Sequence, residues 1–281
     1  MAKRELSYAQ KVTQSILKTY RKEIFSPCVK ALVDFDMIQD GDVVGVCISG
    51  GKDSMLLAKC LEEIQKHGKK KFELKYIVMN PGYRKENVER IKDNLRKLEL
   101  EAHIYEAPIF EYVTTVEDSP CYLCARMRRG HLYREAQSLG CNKIALGHHF
   151  NDVIETNLMG MIYGGQAQTM MPKVHSKNFE GMELIRPLYY VREEAIIRWC
   201  VYNDLTFLNC ACAFTEKEAN TKEIGKRAKM KLLVKELMED NPHVEDNIFK
   251  SMFNVNLETV IGYHDRDHEV TFLEMYNRGK K

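Results

Sequence analysis

Val43-Val44-Gly45-Val46-Cys47-Ile48-Ser49-Gly50-Gly51-Lys52-Asp53-Ser54 is the stretch on which the chain turns. Its first half is an apolar run. Its second half is glycine-rich and polar, and Met55, Leu56, Leu57, Leu61 and Ile64 follow at helical spacing. That order reads as a buried strand, a tight turn and a helix start. Glycines let backbone pass close to a ligand, and a helix N-terminus presents unpaired N–H groups to an anion, so the stretch predicts a phosphate-binding loop. It is not a Walker A loop, because Lys52 is followed by Asp53 and Val46 stands where that pattern has glycine.

Working outward, apolar runs predict further strands over 72–79, 102–106 and 143–147. Helical spacing predicts helices over 8–25, 29–38, 85–98, 121–139 and 152–162. Strands and helices alternate without regular hairpins, which predicts an α/β fold with a doubly wound parallel sheet and ligands at the carboxyl ends of its strands. The motif loop, Asn80 and Gly147-His148-His149 each follow a predicted strand and are expected along one edge. Later, 171–174 and 182–185 read as a hairpin, and 192–203, 217–239 and 244–254 as helices. The expected organisation is an N-terminal helical arm over 1–40, a nucleotide-binding and catalytic domain over 41–215, and a C-terminal helical extension over 216–281.

With 281 residues, 44% apolar and 29% charged, the chain suits one large globular domain or a domain with an appendage. No run of some eighteen apolar residues exists, so no membrane span is expected. The N-terminus has no apolar signal core, and a cytoplasmic location is expected. Net charge is only +2, but basic residues cluster over 66–71, 126–129 and 222–231. The first cluster reads as a solvated helix face; clustering of this kind allows a nucleic-acid partner.

Nine cysteines in a reducing compartment do not suggest a disulfide framework. Cys28, Cys47, Cys60, Cys141 and Cys200 lie in apolar or helical surroundings and read as core. Cys121-x-x-Cys124 and Cys210-x-Cys212 need another reading. Four thiolates could hold structural zinc, although the C-x-C spacing is less usual for it. Two could form a redox pair, and three could hold a cubane iron–sulfur cluster with one iron left open.

Ser49-Gly50-Gly51-x-Asp53-Ser54 after a strand resembles the pyrophosphate loop of the PP-loop ATPases, which transfer AMP from ATP to a substrate oxygen. The loop is followed by Cys121-x-x-Cys124 with Arg126, Arg128, Arg129 and Gly130, by Leu146-Gly147-His148-His149, by Ile185-Arg186-Pro187-Leu188, and by a late cysteine. Over roughly residues 10 to 260 this constellation resembles the tRNA 2-thiocytidine synthetase family of iron–sulfur-dependent tRNA thiolases. The resemblance implies an adenine nucleotide alpha hydrolase-like fold. It implies ATP and Mg2+ bound through Ser49, Gly50, Gly51, Lys52, Asp53, Ser54, Gly147 and His148, with Lys52, Asp53 and Asp152 in catalytic roles. It also implies a [4Fe-4S] cluster on Cys121, Cys124 and Cys212, with Cys210 as the alternative third ligand.

The implied partners are tRNA, with Arg126, Arg128 and Arg129 facing its phosphates, and a sulfur donor such as a cysteine desulfurase; a homodimer is allowed. The implied reaction adenylates the C2 oxygen of a cytidine, at position 32, and replaces it with sulfur delivered from the cluster. Thiolation of another tRNA base, a cluster-free adenylating ligase with a zinc site, and a non-catalytic nucleotide-binding module are the competing readings. Two departures stand out: Asn151-Asp152 occupies a position where the family often has two acids, and Asn80 opens an Asn-Pro-Gly turn.

Overall fold

The computed structural model describes residues 5–113, 120–208, 225–265 and 267–278, with backbone only for 120–122 and 278. The motif strand, β1 (Val43–Ile48), runs at the centre of a six-stranded sheet. On one side lie β2 (Glu73–Asn80) and then β3 (Ala102–Glu106). On the other lie β4 (Lys143–Ala145), then β6 (Glu183–Ile185), then the edge strand β5 (Lys173–His175). All pairs are parallel except β5 with β6. The chain thus builds outward from β1 in one direction, then restarts on its other side with β4. That reversal is the topological switch point where such sheets bind ligands.

Side chains alternate across β1. Val44, Val46 and Ile48 join a large core that includes Met55, Leu56, Leu57 and Leu61 of the motif helix α3 (Lys52–His67) and the fully buried Trp199. Cys47 faces the other way, into a second cluster with Ile77, Tyr133 and Ile144. Each fully buried aliphatic side chain of α3 contributes roughly 1.5–3 kcal/mol. Gly68 follows α3, with Lys66 and His67 in its last turn, a favourable place for positive charge.

The predicted helix over 8–25 is not continuous. α1 spans Tyr8–Leu17, and a π-turn over Arg21–Phe25 precedes α2 (Ser26–Asp34). The Tyr20 N–H reaches back five residues to the Ser15 carbonyl, which widens the helix there. The widening keeps Ile16, Tyr20 and Ile24 on the core face, and the Tyr20 hydroxyl donates to the Arg198 carbonyl at 2.9 Å. The predicted hairpin forms, but its second strand also pairs in parallel with β4, so it extends the main sheet.

The other helices are α4 (Lys85–Lys97), α5 (Ile109–Val113), α6 (Pro120–Ser138), α7 (Phe150–Gly164), α8 (Glu193–Tyr202), α9 (Lys226–Asp240), α10 (Val244–Ser251) and α11 (Phe272–Arg278). The part of the helix expected over 217–239 that precedes residue 225 lies outside the described residues. An unpredicted small hairpin, β7 (Tyr263–His264) with β8 (Glu269–Val270), precedes α11.

At the opposite edge from the switch-point loops, Lys143 is buried between Glu183, with which it pairs closely, and Asp42 at 3.5 Å. Burial would raise the Glu183 carboxyl, but the Lys143 hydrogen bond and the charges of Lys143 and Lys173 outweigh it and hold the pKa below the usual value. Removing one member of a buried ion pair leaves its partner uncompensated, so Lys143→Met should cost about 3 kcal/mol. Because the folded Glu183 pKa is depressed, the pair's contribution is present above the unfolded glutamate pKa of about 4.3 and is lost as pH falls through the folded value. Urea denaturation should therefore show the full deficit at pH 7 and a shrinking one below about pH 4.

Candidate active site

β1 pairs with β4 so that Val46 lies opposite Ala145, and the loops leaving these strands emerge side by side. The first is tied by the two serines. Ser54 Oγ accepts the Ser49 N–H at 3.1 Å, lies 3.2 Å from Ser49 Oγ and donates to the Gly51 carbonyl at 2.9 Å. Gly50 has φ +84°, in the left-handed region, and a Cβ there would stand 2.6 Å from Ile91 Cγ1. Gly51 then caps α3, whose first N–H groups face the space above the sheet.

The second loop packs directly on the first. A Cβ on Gly147 would lie 3.0 Å from the Asp53 carbonyl carbon and the Ser54 nitrogen, so a side chain there would press on that backbone. Between the loops opens a cavity of about 410 Å³. Ser49, Asp53, Ser54, Gly147, His148 and Asp152 line it from the strand ends, and Ala125, Arg128 and Arg129 line it from α6. Its deeper wall is apolar, with Cys47, Ile48, Met79 and Ile144.

The charged groups form one network. Lys52 Nζ stands 3.2 Å from the Asp53 carboxylate and 3.2 Å from Glu193 Oε1. Glu193 also pairs with Lys231 of α9. Burial works against the Lys52 charge, but Asp53 and Glu193 outweigh it and raise its pKa above the ordinary lysine value. His149 Nε2 lies 3.8 Å from Asp53 Oδ1 and 3.6 Å from Asp152 Oδ2. Arg227, in the first turn of α9, reaches Asp152 and the buried Glu155, both at 3.1 Å. Burial raises the Glu155 pKa despite this arginine. Burial, reinforced by the Arg186 charge, lowers the His148 pKa to about 4, so this imidazole is neutral at pH 7.

Several polar atoms facing this region are left unused. His148 Nδ1 and His149 Nδ1 are buried without hydrogen-bond partners, and Asp53 Oδ1, though ion-paired with Lys52, accepts no hydrogen bond. Such groups are costly unless a ligand satisfies them. A carboxylate beside a helix N-terminus suits a cation shared with a phosphate, and the lining suits magnesium-bound ATP. Among the described residues no three His, Cys, Asp or Glu side chains could hold a metal by themselves. Mg2+ takes one or two carboxylates together with phosphate oxygens and water.

The cysteines divide. Cys124 is buried near the start of α6, in a cluster with Met79 and Phe110, one residue before the cavity-lining Ala125. Of Cys121 only the backbone is described, in the first turn of α6. Cys210 and Cys212 lie outside the described residues. Leu208, the last described residue before them, donates its N–H to the Gly50 carbonyl at 3.3 Å. The helix that carries Cys121 and Cys124 thus borders the cavity, and thiolate donors suit an iron–sulfur cluster.

Among curated proteins, the chain is 35% identical to the tRNA-cytidine(32) 2-sulfurtransferase of Pelobacter propionicus over 230 residues, covering 81% of this chain and 83% of that one. It is 35% identical to the protein of the same name from Geobacter sulfurreducens over 237 residues, covering 83% and 90%. The PP-loop domain family matches residues 15–237. The chain belongs to the PP-loop family of tRNA-cytidine(32) 2-sulfurtransferases. Among solved structures, the U34-tRNA thiolase NcsA from Methanococcus maripaludis with its [4Fe-4S] cluster shares the fold, with a TM-score of 0.63 at 20% identity, covering 84% of this chain and 80% of that one.

Within this PP-loop frame, some features escaped the sequence reading. Glu193, Glu155 and Arg227 join the predicted residues, and His149 of the predicted strand-end motif, in one network. The basic run containing Arg227 and Lys231 was visible in the sequence, but its acidic partners are not local to it. Asn80 is spent on its own turn, its Oδ1 accepting the Gly82 and Tyr83 N–H groups, and Met79 lines the cavity instead. Asn151 accepts the Glu193 N–H at 2.9 Å and donates to Glu245 at 2.8 Å, a pairing that an aspartate could not make. Of the three arginines, Arg128 and Arg129 line the cavity, Arg128 also donating to the Tyr83 hydroxyl, and Arg126 is exposed.

Gly147→Ala tests the close approach of the two loops. The added methyl must push on the backbone of Asp53 and Ser54. ATP affinity, measured by calorimetry, should fall by about tenfold or more, or ~1.4 kcal/mol, while the far-ultraviolet spectrum is retained.

Proposed function

We propose that the chain is an ATP-dependent tRNA sulfurtransferase of the cytoplasm that converts cytidine 32 to 2-thiocytidine. Family membership supports the reaction class. One observation carries the mechanism: the phosphate loop, Gly147-His148 and the cysteine-bearing helix α6 open on one cavity.

The C2 oxygen of cytosine is a poor leaving group. Its attack on the α-phosphorus of ATP forms a new P–O bond as the bond to pyrophosphate breaks, and the oxygen becomes part of a good leaving group, AMP. The first N–H groups of α3 and the hydroxyls of Ser49 and Ser54 hold the departing pyrophosphate. Lys52 offsets the charge that develops on it. Asp53 and Asp152 would hold Mg2+, which would offset the phosphate charge. The neutral His148 supplies a hydrogen bond without adding charge, and Arg128 and Arg129 face RNA or nucleotide phosphate. Cys121, Cys124 and Cys212, with Cys210 as the alternative to the last, would hold a [4Fe-4S] cluster, which supplies the sulfur that replaces the activated oxygen. A cysteine desulfurase is the sulfur source we propose, and a homodimer the working assembly.

Protein purified without oxygen should hold about four iron and four sulfide per chain and should thiolate tRNA with release of AMP and pyrophosphate. Zinc without sulfide would overturn the reading in favour of a cluster-free adenylating ligase. Cys124→Ala should lose iron, sulfide and thiolation yet stay folded with a cooperative urea transition, because Cys124 belongs to a smaller cluster with Met79 and Phe110 and not to the main core. Asp53→Ala should keep iron and sulfide but lose thiolation by about a hundredfold or more, the scale of a lost electrostatic contact in a site of this kind.

A further inference from the structure

Arg186 follows β6 in the stretch Ile185-Arg186-Pro187-Leu188, and β6 pairs with β4 so that Ile185 lies opposite Ala145. The Leu146 N–H donates to the Ile185 carbonyl at 3.0 Å, which sets Arg186 beside the loop that carries Gly147 and His148. Side chains alternate along β6. Leu184 packs in the cluster of Cys47, Tyr133 and Ile144, whereas Ile185 joins the main core. Arg186 therefore returns to the face of Leu184, the one covered by α6. On α6, Arg129 lies four residues before Tyr133 and so on the same side of the helix. The two arginines thus converge beside the cavity, which Arg129 lines.

Among the described residues neither guanidinium meets an acid. Arg129 makes no hydrogen bond or ion pair there. Arg186 donates through Nη1 to the Met171 carbonyl, but its Nε is buried with no hydrogen-bond partner. The acid whose charge it feels, Asp152, is already held by Arg227 and the His149 N–H. Burial, and after it the like charge of Arg129, lower the Arg186 pKa to about 10 against the pull of Tyr189, Tyr133 and Asp152, so this side chain stays charged at pH 7. A desolvated charge is costly unless an opposite charge meets it. Two adjacent guanidinium groups with no acid between them suit an anion with several oxygens, and the planar fork of arginine matches phosphate.

We propose that Arg129 and Arg186 together grip one backbone phosphate of the RNA strand, next to the nucleotide that reacts. Nucleotide and RNA both carry phosphate, and position separates them. The pyrophosphate of ATP has its own donors in the phosphate loop and the start of α3. Strands β1 and β6 are two places apart in the sheet, so Arg186 starts roughly 10 Å from that loop, beyond Gly147 and His148. Arg126, exposed three residues before Arg129 on α6, extends the positive edge outward, which a polymer of phosphates uses and a single nucleotide does not. A base that enters the cavity is drawn out of its stack, and a phosphate contact beside it fixes where the strand lies without reading sequence. This site rests on the tRNA substrate proposed above.

Binding of unmodified tRNA, followed by fluorescence anisotropy over a range of salt, tests it, with ATP affinity measured by calorimetry on the same proteins. Arg186→Gln and Arg129→Gln should each weaken tRNA binding on the order of tenfold while ATP affinity stays within about twofold. Because both hold one phosphate, the double variant should lose less than the product of the single losses. Its slope of log affinity against log salt should be shallower by about 0.7, the share of one phosphate on a single strand. Arg129 is exposed, so its replacement reports on the site whether or not the Arg186 variant folds. A tenfold loss of ATP affinity assigns the pair to the nucleotide and overturns the proposal. Weakened tRNA binding at an unchanged salt slope marks a structural role and also overturns it. A wild type that binds no tRNA overturns the proposed substrate and this site together. A wild type that binds and thiolates tRNA, with variants that bind it equally well, overturns this site alone.

Discussion

The pairing of β1 with β4 is the constraint on which the rest of the structure depends. Because these strands are neighbours in the sheet but lie far apart in sequence, Ser49–Ser54 and Gly147-His148 meet at their carboxyl ends. Neither loop makes a site alone. The first supplies a helix N-terminus and hydroxyls; the second supplies a glycine that permits contact and an imidazole kept neutral by burial. α6 then returns over the sheet to reach β4, which brings Cys124 and the arginines after it to the same mouth. Topology, more than any single residue, joins a phosphate-binding loop to a thiolate-bearing helix.

Periodicity made much of this legible. Strands β1 and β3 and helix α4 lie close to where alternation and helical spacing put them, because their side chains are sorted by a nearby core. Choices made by distant partners were not legible. Nothing local to Glu183–Ile185 announces that it joins the main sheet beside β4, since either edge of the hairpin offers the same backbone groups. The π-turn at Arg21–Phe25 follows from the need to keep Tyr20 against α8, a tertiary demand that an amphipathic spacing conceals.

The same division holds in the site. Lys52, Asp53 and Ser54 announce themselves by lying in one contiguous motif. Glu193 and Arg227 come from separate helices and gain meaning only when folded against that motif. Asn151 shows why a departure from a family pattern can be informative. Its amide must accept from the Glu193 backbone and donate to Glu245, and a carboxylate would place two acids against each other.

Charge balance in the network bears on how a nucleotide enters. Lys52 and Arg227 are each shared between carboxylates, Asp53 and Glu193 for the first and Asp152 and Glu155 for the second. A triphosphate that draws Lys52 toward itself leaves Asp53 with uncompensated charge, in a place where Asp53 Oδ1 already lacks a hydrogen bond. Repulsion between that carboxylate and the phosphates would oppose binding unless a divalent cation stood between them. The acidic residue within the phosphate loop is thus a reason to bind the nucleotide as its magnesium complex. Glu193 has a different fate, because Lys231 remains beside it when Lys52 shifts, and so α9 keeps its hold on α8 while the loop lysine changes partners.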